Sequence, residues 1–162
     1  MNKAIIVSCS NTNFKTSINY DLASKIAHKG SFDLLNLADY NVELFSIDIK
    51  ANVPAKINEL KAKLLAYEKI VFITPEINGY LAAFAKNIFD WLSLEGAWLK
   101  DKKAYVATAT PGAKGGPMVR SIFSQVLEFF GAKVLGSVGF AEYKLDANKD
   151  QEILEFVNNI NN

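Results

Sequence analysis

Short apolar runs alternate along the chain with longer stretches in which apolar residues return every three or four positions. The short runs, residues 3–8, 32–37, 70–73, 104–109 and 133–141, are rich in β-branched and aromatic residues and predict strands. Ile70-Val71-Phe72-Ile73, with no polar alternation, reads as a strand buried on both faces. The longer stretches predict helices over 17–29, 54–67, 81–94, 117–130 and 148–161. Ile18, Leu22, Ala23 and Ile26 share one face of the first, and Ile153, Phe156, Val157 and Ile160 one face of the last. The punctuation agrees: Thr16 or Ser17 can cap the first helix, Pro54 opens the second and Gly131 closes the fourth. Residues 38–53 are irregular, and a connection of that length signals a functional loop or an excursion.

This βαβαβαβαβα order predicts one α/β domain over residues 1–162, with a parallel sheet, helices on both faces and right-handed crossovers. With strand order 2-1-3-4-5, the loops after strands 1, 3 and 4 meet at the carboxyl edge of the sheet, at the switch point where such folds bind ligands.

Those three loops carry the candidate chemistry. The first, Cys9-Ser10-Asn11-Thr12-Asn13-Phe14-Lys15-Thr16-Ser17-Ile18-Asn19, is crowded with hydroxyl and amide groups. Ahead of a helix N-terminus it is either a phosphate cradle or a plain capped loop. The second is Thr74-Pro75-Glu76-Ile77-Asn78-Gly79-Tyr80. Pro75 ends the strand, and Asn78 and Gly79, which tolerate positive φ, are expected to open the next helix. The third, Thr110-Pro111-Gly112-Ala113-Lys114-Gly115-Gly116, has the glycines that let backbone approach a flat ligand closely.

Composition removes other classes. The formal net charge is +1 and there is no basic block, so neither nucleic acid nor an anionic membrane is an expected partner. One histidine and one cysteine exclude two-histidine zinc motifs and the usual structural zinc sites. Cys9 has no intrachain disulfide partner, reads as a small packed residue, and suits a reducing, cytoplasmic setting. No run of apolar residues approaches membrane-spanning length. Glu76 is the one acid–base candidate in the loops, and a local structural job suits it better. Trp98, after the third helix, is expected to be partly exposed.

Thr74-Pro75-Glu76-Ile77-Asn78-Gly79, followed by Lys86-Asn87-Ile88-Phe89-Asp90-Trp91-Leu92-Ser93, resembles the signature of the NADPH-dependent FMN reductases, which include azo, quinone and chromate reductases. The resemblance implies a flavodoxin-like three-layer sandwich. It implies FMN as cofactor and NADPH or NADH as electron donor to a small-molecule acceptor. It places Ser10, Ser17 and Asn19 at the FMN phosphate, with Asn11, Thr12 and Ile18 beside them. Lys15 is the nearest cation where the family has arginine, and Ile77 replaces the family's aromatic residue. Pro75, Glu76, Ile77, Asn78 and Gly79, and Thr110, Pro111, Gly112, Gly115 and Gly116, would meet the flavin. A one-electron carrier and a flavin-free interaction domain of the same fold are the alternatives; the near-neutral charge disfavours the carrier. The broad apolar faces of the third and fourth helices, with Phe84, Phe89 and Trp91 on the third, predict a homodimer or tetramer built through them.

Overall fold

The computed structural model describes residues 4–145 and 147–162. Five strands, β1 (Ala4–Ser8), β2 (Asp33–Asn36), β3 (Lys69–Ile73), β4 (Lys103–Ala109) and β5 (Lys133–Phe140), form one parallel sheet of order β2-β1-β3-β4-β5. The helices α1 (Ile18–Gly30), α2 (Ala55–Leu65), α3 (Ala83–Leu92), α4 (Pro117–Phe129) and α5 (Asp150–Asn161) make the outer layers of a flavodoxin-like α/β fold. Lys3, expected in the first strand, and Asp146 lie outside the described residues.

Every residue of β1 and β3 is buried, as an apolar run without alternation requires. Strand periodicity divides them between two cores. Ile5, Val7, Phe72 and Val106 pack with Leu60, Ile88 and Phe123 on one face; Ile6, Val71, Ile73 and Tyr105 pack with Leu22, Ile26 and Phe156 on the other.

The irregular stretch after β2 is an excursion fastened to α3. Asn87 accepts from Phe45 N–H at 2.7 Å and donates to the Glu43 carbonyl at 3.0 Å, while Trp91 Nε1 donates to the same carbonyl at 2.9 Å. Phe45 meets the Trp91 ring edge-on at 5.1 Å. Two of the most recognisable residues of the Lys86–Ser93 run therefore work as a structural strap.

Two expectations are corrected. Trp98 is 6 % exposed and packs against Phe130, because Leu99 N–H bonds the Phe130 carbonyl and draws the segment under α4. Asn78 and Gly79 do not open α3. Both have positive φ, 51° and 78°, and form the tip of a two-residue turn in which Ile77 and Tyr80 exchange backbone hydrogen bonds of 2.9 and 3.0 Å. Consecutive positive φ is the signature of a hairpin turn and is incompatible with a helical first turn. The helix starts four residues later, at Ala83.

Candidate functional site

The loops after β1, β3 and β4 border one crevice of about 220 Å³. The first supplies Ser10, Thr12, Thr16, Ser17, Ile18 and Asn19; the second Pro75, Glu76 and Ile77; the third Ala109, Thr110 and Pro111. The sequence marks Thr16 as a possible helix cap but not as a site residue, and it does not mark Ala109. Thr16 is a hydroxyl beside the capping serine, which is a readable signal. Ala109 carries no chemical mark and comes in only as the last residue of β4.

On the α1 side, hydroxyls are linked. Ser17 caps α1, its Oγ accepting from Tyr20 N–H at 3.1 Å, and it lies 3.0 Å from Ser10 Oγ, which accepts from Thr12 N–H at 3.2 Å. Both serines are buried. The N–H groups of Ile18 and Asn19, in the first turn, have no acceptor within the helix. This end of the crevice thus presents hydroxyls and the positive end of a helix dipole.

Asn19 has a further, internal partner. Its Oδ1 accepts from Ala109 N–H at 2.9 Å and its Nδ2 donates to the Ala109 carbonyl at 3.0 Å, so it joins α1 to the end of β4. Lys15 does not line the crevice. It is exposed, with its ammonium 5.9 Å above the Phe14 ring. Among the described residues, no lysine or arginine lines the cavity.

The opposite walls are more apolar, with Pro75, Ile77 and Pro111; Ile77 is 51 % exposed. Glu76 reaches α4. Its Oε2 accepts from Val119 N–H at 3.3 Å, capping a helix whose own cap, Gly116, has no side chain. That is the structural job expected of it. Arg120 donates from Nε to the Gly115 carbonyl at 2.9 Å; burial lowers its pKa, and the charge of Glu76 opposes that shift.

Several residues expected at the flavin stand back from the cavity. Asn11, Asn78 and Gly112 are exposed, and Gly79 stands against the Met118 side chain, whose Cε would lie 3.0 Å from a Cβ on it. Gly115 and Gly116 are buried and serve close approach within the chain. Both have φ of 62°, and a Cβ on Gly115 would stand 3.0 Å from Gly139 backbone, on Gly116 2.6 Å from Thr108. Cys9 is fully buried, and burial pushes its thiol pKa up, as suits a packed, unreactive residue. Among the described residues no group of side chains could hold a metal ion, and no helix is long and apolar enough to cross a membrane.

A parallel 2-1-3-4-5 sheet with a hydroxyl-lined crevice at its switch point defines a flavodoxin-like α/β protein. Within that class the chain belongs to the NADPH-dependent FMN reductase family, whose model matches residues 2–144. An uncharacterized protein of Mycoplasma pneumoniae is 35 % identical over 133 residues, covering 78 % of this chain and 80 % of that one. Solved structures with the same fold include FerB, a flavoenzyme NAD(P)H:(acceptor) oxidoreductase from Paracoccus denitrificans. It has a TM-score of 0.81 at 20 % identity, over 98 % of this chain and 94 % of FerB. Another is an FMN-dependent NADH-azoreductase from Bacillus anthracis in complex with FMN, with a TM-score of 0.65 at 12 % identity, over 97 % of this chain and 94 % of the azoreductase.

The family binds FMN and uses NAD(P)H. The crevice suits FMN at both ends. Hydroxyls and a helix N-terminus can receive a phosphate without a cation, and the apolar residues opposite can border a flat ring.

Proposed function

We propose that the chain is an NAD(P)H-dependent FMN oxidoreductase delivering two electrons to a small acceptor: a quinone, an azo compound, free flavin or a metal oxyanion. The observation that carries this is the convergence of three loops on one crevice, polar at the α1 end and apolar at Pro75, Ile77 and Pro111. When bound, FMN supplies the redox chemistry, taking electrons from reduced nicotinamide and passing them on. The chain's own residues bind and orient. Ser10, Thr12, Thr16 and Ser17 are the donors for the phosphate, and Ile18 and Asn19 add N–H groups of the first turn of α1. Pro75, Ile77 and Pro111 border the ring.

The 110–116 loop carries no aromatic side chain, and the exposed Ile77 is aliphatic. Tyr80, the ring in the 74–80 turn, packs against the core, and among the described residues no aromatic side chain lines the crevice, which favours a flavin face open to a nicotinamide over a one-electron carrier. Reconstitution tests the cofactor: purified apo-protein mixed with FMN and desalted should be yellow with one FMN per chain. A colourless protein at saturating FMN would favour the flavin-free domain instead.

A homodimer would use α4 and not the α3 aromatics. Phe89 and Trp91 of α3 are buried within their own chain. On α4, Met118 and Phe129 are 59 % and 81 % exposed, with Ile122 half-buried between them. This row is the proposed contact in a homodimer.

A further inference from the structure

We infer that Tyr143 is a positioning residue that fixes the distance between the two ends of the crevice; this rests on the FMN reading above. Tyr143 is fully buried and does not line the cavity. Its hydroxyl donates to Asp21 Oδ2 at 2.7 Å, and its backbone N–H donates to the Thr110 carbonyl at 2.9 Å. One residue thus ties α1, one turn beyond Ser17, to the wall that carries Thr110 and Pro111.

Its surroundings hold it in place. Thr110 N–H bonds the Phe140 carbonyl at 3.1 Å, and Glu142 N–H bonds the Gly112 carbonyl at 3.0 Å. Glu142 adopts a φ of 51°, unusual for a non-glycine residue, to make that contact. Lys25 pairs with Asp21 at 2.8 Å, donates to the Leu145 carbonyl at 3.1 Å, and sits 5.4 Å over the Tyr143 ring. Asn19, bonded twice to Ala109, makes a second tether from the same turn of α1 to the adjacent residue of the same wall.

A ligand held at two ends binds well only if the two subsites are already correctly spaced, because adjusting them costs binding energy. A ligand held at one end is indifferent to the spacing. Loosening the bridge should therefore weaken FMN selectively, and leave riboflavin, which lacks the phosphate, and inorganic phosphate, which lacks the ring, unaffected.

The test is Tyr143→Phe in the full chain, which keeps the buried ring and deletes only the hydroxyl. Apo-protein is titrated with FMN and with riboflavin by flavin fluorescence, and with inorganic phosphate by competition. The expected result is FMN affinity lower by about tenfold, the order that one hydrogen bond carries in an affinity, with the other two unchanged. Asp21→Ala, which removes the acceptor and leaves the tyrosine, should give the same pattern and serves if Tyr143→Phe does not fold. Equal weakening of FMN and riboflavin, or no change in either, overturns the inference while leaving the cofactor reading intact. A parent chain that binds no FMN overturns both.

Discussion

Asn19 and Ala109, ninety residues apart in sequence, exchange two hydrogen bonds through one carboxamide and one peptide backbone. The pair is buried, so neither backbone group has water as a substitute. Asn19→Ala strands both, at roughly 1–3 kcal/mol for each group left unpaired. Urea unfolding should show a lower midpoint with an unchanged slope. Asn19→Asp should also destabilise, because a carboxylate cannot donate to the Ala109 carbonyl.

Ser10 and Ser17 act as a coupled pair at the α1 end of the crevice. Replacing either by alanine should weaken FMN by about 1.5–3 kcal/mol, the range for a hydrogen bond to a charged group. The double substitution should cost less than the sum, since either single change already breaks the link between them. Equilibrium titration of the three variants gives the coupling directly. Ser17→Ala should also lower stability by about 1 kcal/mol through loss of the helix cap.

Tyr143 makes stability depend on pH at the alkaline end. Burial first, and then the hydrogen bond to Asp21 and its charge, raise its pKa above the usual 10.0. Above pH 10.0 the unfolded chain loses this proton while the folded chain keeps it, so the folded state binds more protons there. The contribution is fully present below pH 10.0 and declines as pH rises towards the folded pKa. Lys25, facing the same carboxylate, keeps its pair with Asp21 in Tyr143→Phe. That variant should lose stability less steeply with pH above 10.0 than the parent, measured by denaturant midpoints across the range.

The exposed row on α4 predicts association through that face. Phe129, 81 % exposed, can accept a charge without disturbing the core. Phe129→Glu should leave thermal stability of the subunit nearly unchanged and convert a dimer to a monomer in sedimentation velocity. A parent that sediments as a monomer at micromolar concentration contradicts the proposal.

All five strands and all five helices were legible because strand and helix periodicities are strong where both faces of a sheet are covered, as in Ile70 to Ile73; the order of the strands came from the flavodoxin-like resemblance, since periodicity does not order a sheet. The three loops were legible as a group because topology alone brings them to one edge. What sequence could not give was the direction of individual side chains. Asn19 and Glu76 each have a backbone partner far along the chain, and long-range pairing leaves no local pattern. Gly115 and Gly116 looked like ligand contacts because close approach to a ligand and close approach to Gly139 or Thr108 demand the same residue. Asn78-Gly79 was a turn signal read as a helix start, and its two positive φ values favour the hairpin. The α3 aromatics seemed surplus because the excursion that covers Trp91 has no periodicity to announce where it folds back.

Two-electron reduction of bound FMN by a nicotinamide is decided by anaerobic titration of the FMN-loaded protein with NADPH and with NADH. At least one nucleotide should bleach the oxidised flavin spectrum directly to the fully reduced form, and a quinone or azo dye should then restore it. Failure of both nucleotides to bleach the flavin, with a stable one-electron-reduced spectrum on photoreduction, would contradict two-electron reduction and make the protein a carrier.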